Sequence, residues 1–205
     1  WMVHTFHMKE CRVLQKTKNT FDVSIWELLL PSMCGGSLVL IPEGQERDPQ
    51  RIVDVVQEYG VTVLHFVPSM LSAFLFWTEK RERAQGTRNC LVDVMVSGEQ
   101  LSSSLVQRWM DQFPEVRLHN LYGPAECTID VSWHDCIRGE TVTPIGYPVW
   151  NTELIIVNEN KKEIPFGYIG EILILGDLVG QGYMDNPEEN NKRFISFGKE
   201  KGYLT

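Results

Sequence analysis

Long apolar runs are missing from this 205-residue chain: its most apolar stretches, such as residues 61–67, are strand-length. A bilayer crossing takes roughly 20 such residues, so no membrane-spanning helix is expected. The first residues carry no signal-peptide pattern. Positive charge is also scarce, with 19 Lys and Arg against 27 Asp and Glu and a formal net charge of -8. That balance, with a pI near 5.2, argues against the clustered basic surface that a nucleic-acid binder needs. Cysteine is sparse too. Cys11, Cys34, Cys90, Cys127 and Cys136 are odd in number, far apart and without a close pair. They suggest neither a disulfide framework nor a zinc site, and a reducing cytoplasm is the expected compartment. What is present is 43% hydrophobic residues, enough at this length for one sizeable core.

The first two thirds alternate between the two periods of regular structure. Residues 24–33 predict a short helix stopped by Gly35 and Gly36, and 37–41 a buried strand. Asp48 is a good N-cap with Pro49 at the first helical position; Ile52, Val53, Val55, Val56 and Tyr59 form the inner face and Gly60 ends the helix. Residues 61–66 read as the next strand. Pro68 and Ser69 open a helix carrying Met70, Leu71, Phe74, Leu75 and Trp77, and the polar segment 78–89 reads as a surface connection. Strands at 91–96 and 116–120 flank an amphipathic helix at 102–113, a pattern that predicts a parallel sheet covered by helices. Beyond Ile137 the helical period fades. Residues 152–157 and 170–175 read as short strands joined by turns, with a helix near 185–194 entered at Asn186 and Pro187. No internal repeat or low-complexity tract is visible.

Asn120, Leu121, Tyr122, Gly123, Pro124, Ala125 and Glu126 place an aromatic ring, a tight turn and a carboxylate directly after an apolar strand. At a strand's carboxyl end, where open α/β sheets bind ligands, such a corner suits a nucleotide with its Mg2+. By itself it also fits an ordinary strand-to-turn junction with a surface glutamate. Two segments accompany it in order: Phe21, Asp22, Val23, Ser24, Ile25, Trp26 and Glu27 upstream, and Gly170, Glu171, Ile172 through Gln181, Gly182, Tyr183 downstream. With these motifs at compatible spacings, residues 13–205 resemble an adenylation domain of a nonribosomal peptide synthetase, of the acyl- and aminoacyl-adenylate-forming superfamily. The resemblance implies an α/β fold, with a parallel helix-covered sheet over about 1–136 and a β-rich subdomain over about 137–205. These would form the central part of the large N-terminal region of such an enzyme. It also implies that a phosphate loop upstream and a small C-terminal subdomain lie outside this chain. The chain alone is therefore expected to have little or no adenylating activity.

Site roles follow from the same resemblance. Asp22 would pair with the α-ammonium of an amino acid, a charge-assisted contact; as an isolated residue it could equally cap the helix that follows. Asp22, Val23, Trp26, His65, Met95, Ser97, Leu121, Ile129 and Asp130 would line the pocket. Trp26, Met95 and Ile129 also fit as plain core residues, and His65 as a satisfied buried histidine. As a set, the polar His65, Ser97 and Asp130 inside an apolar enclosure resemble the serine-specifying pocket of siderophore synthetases. Tyr122 would stack on adenine and Asn120 contact its edge, with Gly98, Glu99, Gly123 and Ala125 beside the nucleotide and Glu126 holding Mg2+ and serving catalysis. Many relatives have Thr where this chain has Ala125; one neutral hydrogen bond is worth about 0.5–1.5 kcal/mol, so ATP use would be weakened rather than abolished.

The implied reaction is ATP-dependent formation of an aminoacyl-adenylate, with ATP and Mg2+ as cofactors and serine the favoured substrate. The aminoacyl group would then pass to phosphopantetheine on a carrier domain, so peptidyl carrier and condensation domains are the expected partners, with no nucleic acid and no membrane. Two alternatives stand beside it: an acyl- or aryl-CoA ligase of the same superfamily, against which Asp22 argues because its buried carboxylate would face an acid's tail unpaired, and a degenerate, non-catalytic scaffold segment.

Overall fold

Each short β-branched segment of the first half is followed by a helix long enough to return the chain to the same end, so successive strands run parallel. The computed structural model describes residues 1–79 and 84–205. It divides into two units: Trp1–Leu121 with His134–Gly146, and Tyr122–Trp133 with Tyr147–Thr205.

The first unit opens with α1 (Met2–Thr5), then β1 (Arg12–Gln15), α2 (Ser24–Cys34), β2 (Ser37–Leu40), α3 (Pro49–Tyr59), β3 (Val63–Phe66), α4 (Pro68–Glu79), α5 (Ala84–Cys90), β4 (Asp93–Val96), α6 (Ser103–Gln112) and β5 (Arg117–Tyr122). The strands are ordered β2-β1-β3-β4-β5, all in parallel pairs, with His65 level with Met95 and Met95 level with His119. Strand alternation then separates two faces. Leu64, Phe66, Val94, Val96 and Leu118 join the main core with Ile52 and Val56 of α3, Phe74 of α4 and Trp109 of α6. His65, Asp93, Met95 and His119 alternate with them and face the other way, which concentrates buried polar groups on that side. Trp109 is fully buried and its indole N–H donates to the Val116 carbonyl at 3.0 Å, so its one polar atom is satisfied.

In the second unit Ser132 and Trp133, at the start of β6 (Ser132–Asp135), pair antiparallel with β7 (Tyr147–Pro148). A four-stranded antiparallel sheet follows, ordered β10-β11-β9-β8, from β8 (Thr152–Val157), β9 (Glu171–Gly176), β10 (Phe194–Phe197) and β11 (Glu200–Leu204), with α7 (Pro187–Arg193) ahead of β10. Ile155, Val157, Leu173, Leu175 and Leu204 pack on one side of it. Ile174 and Tyr203 pack with Cys127 and Val131 in a second cluster. The α/β class, a parallel helix-covered sheet followed by a β-rich part, is the architecture expected. Among the described residues no helix is long and apolar enough to cross a membrane.

Four local expectations are corrected. The supposed surface connection at 78–89 is helical at both ends, α4 reaching Glu79 and α5 starting at Ala84, while 80–83 lie outside the described residues. Its polarity misled because Thr78 and Thr87 are buried with their hydroxyls bonded, Thr78 to the Phe74 and Leu75 carbonyls and to Gln112, Thr87 to Gln57. Tyr59 is exposed, not part of the inner face of α3. The strand expected to end at Asn120 continues to Tyr122. Finally, Cys11 and Cys34 form a disulfide, their Cα atoms 6.6 Å apart. The left-handed Gly35 turns the chain back at the end of α2, and the Glu10 N–H then donates to the Cys34 carbonyl and the Ser37 N–H to the Cys11 carbonyl. The expectation of a reducing compartment therefore loses its support from unpaired cysteines.

Candidate active site

In the first unit the pocket candidates come from α2 and the strand ends. Asp22 and Val23 stand at the entry to α2, both half-buried. Val23 is the N-cap, and among the described residues no side chain caps the helix and Asp22 Oδ1 accepts only the adjacent Val23 N–H at 2.9 Å. Capping thus does not explain Asp22. One turn further in, the buried Trp26 ring meets the His65 ring edge-on, centroids 5.9 Å apart. His65 Nε2 lies 2.9 Å from Ser97 Oγ, in the interior. Two polar atoms of this group have no partner among the described residues: Trp26 Nε1 and His65 Nδ1. Such orphaned buried groups are costly and point to something that satisfies them. Burial, reinforced by the charge of Lys16, pushes His65 well below its usual range, so the imidazole is neutral and can use one nitrogen to donate and the other to accept. Met95 and Leu121 are buried apolar neighbours on β4 and β5.

The nucleotide candidates of this unit stand just after β4 and within β5. Gly98 has φ +84°, a left-handed backbone that glycine adopts without strain. Glu99 accepts the Ser69 N–H at 3.2 Å and the Ser69 hydroxyl at 3.0 Å, so its carboxylate is engaged at the start of α4. Asn120 is buried and its Nδ2 donates to the Pro144 carbonyl at 2.8 Å, which uses one of the two amide N–H groups, orients the amide and leaves its oxygen as an acceptor, the group an adenine amine needs.

In the second unit the corner after β5 is held very close. A Cβ on Gly123 would stand 2.2 Å from the Ile129 carbonyl oxygen, so any side chain there would displace the backbone. A 3-10 turn, Ala125–Cys127, follows, and then Thr128 and Ile129 both take positive φ, 57° and 76°. Two β-branched residues in that region in succession mark stored backbone strain. Ile129 is half-buried, Asp130 is buried, and Ala125 is exposed. Tyr122 is half-buried beside the cluster of Cys127, Val131, Ile174 and Tyr203.

Glu126 is braced from a distant segment. Its Oε1 accepts the Tyr183 hydroxyl at 2.5 Å, and its backbone carbonyl accepts the Gly180 N–H at 2.7 Å. Accepting that bond, the carboxylate holds the Tyr183 phenol protonated far above its ordinary range, with Tyr203 adding to the effect. Tyr183 belongs to one of the motifs that carried the resemblance, yet its role was not legible, because nothing in the sequence says that residues 57 apart touch. As to Mg2+, no group of three or more His, Cys, Asp or Glu suited to a metal occurs among the described residues. A single fixed carboxylate suits an ion that keeps most of its shell as water and phosphate oxygens, as Mg2+ does. The donor set fits.

In the first unit a glycine-bearing turn follows a strand of the parallel sheet, and in the second Tyr183 and Gly180, from the segment between β9 and α7, brace a lone carboxylate; such features suit an α/β nucleotide-binding enzyme. The chain belongs to the AMP-binding enzyme family, whose profile matches residues 1–184. It is 40% identical over 206 residues to Enterobactin synthase component F of Escherichia coli O157:H7, covering 96% of this chain and 16% of that protein. Among solved structures, the Vibrio cholerae adenylation domain AlmE in complex with glycyl-adenosine-5'-phosphate superposes with a TM-score of 0.87 at 26% identity, covering 100% of this chain and 39% of AlmE. The nonribosomal peptide synthetase FmoA3 in its alpha-methyl-L-serine-AMP bound form gives 0.91 at 25%, covering 100% and 24%. The chain thus spans about one sixth of the curated relative and less than half of either solved chain.

Proposed function

We propose that the protein carrying this chain activates L-serine with ATP, giving seryl-AMP and pyrophosphate for transfer to the phosphopantetheine of a carrier domain in nonribosomal peptide synthesis, of the siderophore type. The observation that carries the reading is the buried trio Trp26, His65 and Ser97, in which His65 bonds Ser97 while His65 Nδ1 and Trp26 Nε1 have no partner among the described residues. A small hydroxyl is the group that a neutral imidazole can either donate to or accept from. The FmoA3 complex, with an adenylate of a serine derivative, supports the same substrate class.

In the reaction, an oxygen of the amino-acid carboxylate bonds to the α-phosphorus of ATP, and the bond to the bridging oxygen breaks as pyrophosphate leaves with its electrons. The substrate carries its own nucleophile, so the protein's task is placement and neutralisation of charge. Asp22 would hold the α-ammonium, Asn120 and Tyr122 the adenine, and Gly98 and Gly123 would let backbone approach. Val23, Met95 and Leu121 would each offer the substrate an apolar contact, as would Ile129, with Asp130 offering a polar one. Glu126, oriented by Tyr183, would hold Mg2+, which when bound neutralises phosphate charge. Glu99 is tied to Ser69, so its part would be to shape the turn rather than to touch the nucleotide.

Pyrophosphate exchange into ATP by the longer protein, with serine, threonine, alanine and an aryl acid side by side, tests this. Serine-dependent exchange is expected. A site built to bond a hydroxyl rejects the analogue lacking it by roughly 10⁴–10⁵, whereas one added methyl costs only about 10–200-fold, so alanine should fail and threonine leak. Preference for another amino acid would overturn the serine assignment. Exchange with the aryl acid that survives Asp22→Ala would favour the CoA-ligase alternative, and no exchange at all the non-catalytic one.

A further inference from the structure

A second buried polar cluster lies at the edge of this trio, and none of the roles above uses it. Glu27 follows Trp26 directly and is 0% exposed. Its Oε2 accepts the backbone N–H groups of Lys16 at 3.2 Å and Thr17 at 2.9 Å, and its Oε1 accepts the Thr17 hydroxyl at 2.6 Å. Three donors from the exit of β1 therefore converge on one carboxylate of α2. The Lys16 ammonium is buried as well, 6% exposed, 5.2 Å from the centre of the Phe66 ring on β3. Taking two opposite charges out of water costs more than an apolar pair would. What the arrangement does supply is direction: a carboxylate with three fixed donors locks the first turns of α2 in rotation and height against β1. Those turns carry Asp22, Val23 and Trp26, and β3, the neighbour of β1, carries His65.

We propose that Glu27, with Lys16 as its counter-charge and Thr17 as its anchor, is a positioning residue for amino-acid recognition: it fixes α2 so that Asp22 and Trp26 meet the substrate in register with His65. This rests on the amino-acid-activation reading above but not on serine. Neither Glu27 nor Lys16 touches the reacting atoms in this scheme. The titratable groups facing one another here are Glu27 from α2, Lys16 from the end of β1 and His65 from β3. Burial lowers the Lys16 ammonium to about 8, with Glu27 opposing the shift, and burial raises the Glu27 carboxyl, with Lys16 and the Thr17 bonds opposing it. Above about pH 8 the lysine loses its charge and the carboxylate its counter-ion.

The test is pyrophosphate exchange by the longer protein, with whichever amino acid it turns over best, comparing wild type with Glu27→Gln. Glutamine keeps the shape but loses the charge and one acceptor. The expected result is a KM for the amino acid raised roughly ten-fold or more with the KM for ATP unchanged within about two-fold, since small misplacements of recognition groups carry costs of that size. The ratio of the two amino-acid KM values should also fall toward one between pH 7 and 9.5, as wild type loses the pair; ionisation of the substrate cancels in that ratio. Amino-acid and ATP KM values that rise together, or a ratio that does not change with pH, would mean a merely structural role and overturn the proposal. Should Glu27→Gln fail to fold by thermal melt, Thr17→Val removes one donor and leaves both charges; a rise of about three-fold in the amino-acid KM alone supports the proposal and no rise overturns it. A wild type inactive with every amino acid overturns both this and the function above, whereas an active wild type with an indifferent Glu27→Gln overturns this alone.

Discussion

His119 is the residue whose chemistry departs furthest from what an apolar strand suggests. It is 1% exposed, and each ring nitrogen faces a carboxylate, Nδ1 to Asp135 Oδ1 at 2.5 Å and Nε2 to Asp93 Oδ1 at 2.8 Å. Asp93 is shared with Arg117, whose Nε lies 2.8 Å from the same oxygen, and the Phe6 ring covers the imidazole at 4.3 Å. Two carboxylate partners require both nitrogens to donate, which only imidazolium can do. Burial works against that charge, but the bonds to Asp135 and Asp93 outweigh it, and the net shift is upward from 6.5. A raised folded value sets the sign: the contribution to stability is fully present below about pH 6.5 and is lost as pH rises through the higher folded value. Urea midpoints of wild type and His119→Gln should therefore differ most on the acid side of that window and converge above it; a gap that stays constant or widens with pH would contradict the imidazolium. His65, also on a strand, is driven the opposite way by its burial and by the Lys16 charge, and among the described residues its ring bonds Ser97 rather than a carboxylate. Sequence names both residues alike, and only the partners tell them apart.

Elements with local signals form where the sequence places them. Asp48 accepts the Gln50 and Arg51 N–H groups with Pro49 next to it, and Gly60 closes α3 with φ 61°. Replacing Asp48 by Ala should cost about 1 kcal/mol in equilibrium unfolding with the fold retained, as lost N-caps typically do; no measurable change would mean that water replaces the cap. α6 is likewise capped by Ser102, which accepts the Leu105 N–H. The same logic failed where long-range bonds decide. Residues 78–89 are polar, yet Thr78 is buried through Gln112 of α6 and Thr87 through Gln57 of α3, partners 34 and 30 positions away. β5 reaches Tyr122 because the Val131 N–H donates to the Tyr122 carbonyl, a pairing that no local propensity announces.

For the whole molecule, the cysteines give the sharpest check. Cys11 and Cys34 are joined, and Cys90, Cys127 and Cys136 are free thiols. Burial pushes Cys127 and Cys136 up to about 12, which makes both unreactive in the folded state. Thiol titration of this 205-residue chain, denatured and unreduced, should find three groups, and five after reduction; five from the start would remove the disulfide. By itself the sequence determined the α/β class and the order of its elements, since periodicity, caps and glycine stops are local and additive. It also determined which segments carry recognition motifs, because those are read in order along the chain. Only the tertiary structure decided which buried polar atoms find partners: the Glu27 anchor, the Tyr183 brace on Glu126, the opposite charge states of His65 and His119, and the Cys11–Cys34 bond. Each joins residues ten or more positions apart, and hydrogen bonding and burial depend on distance in space, which sequence separation does not encode.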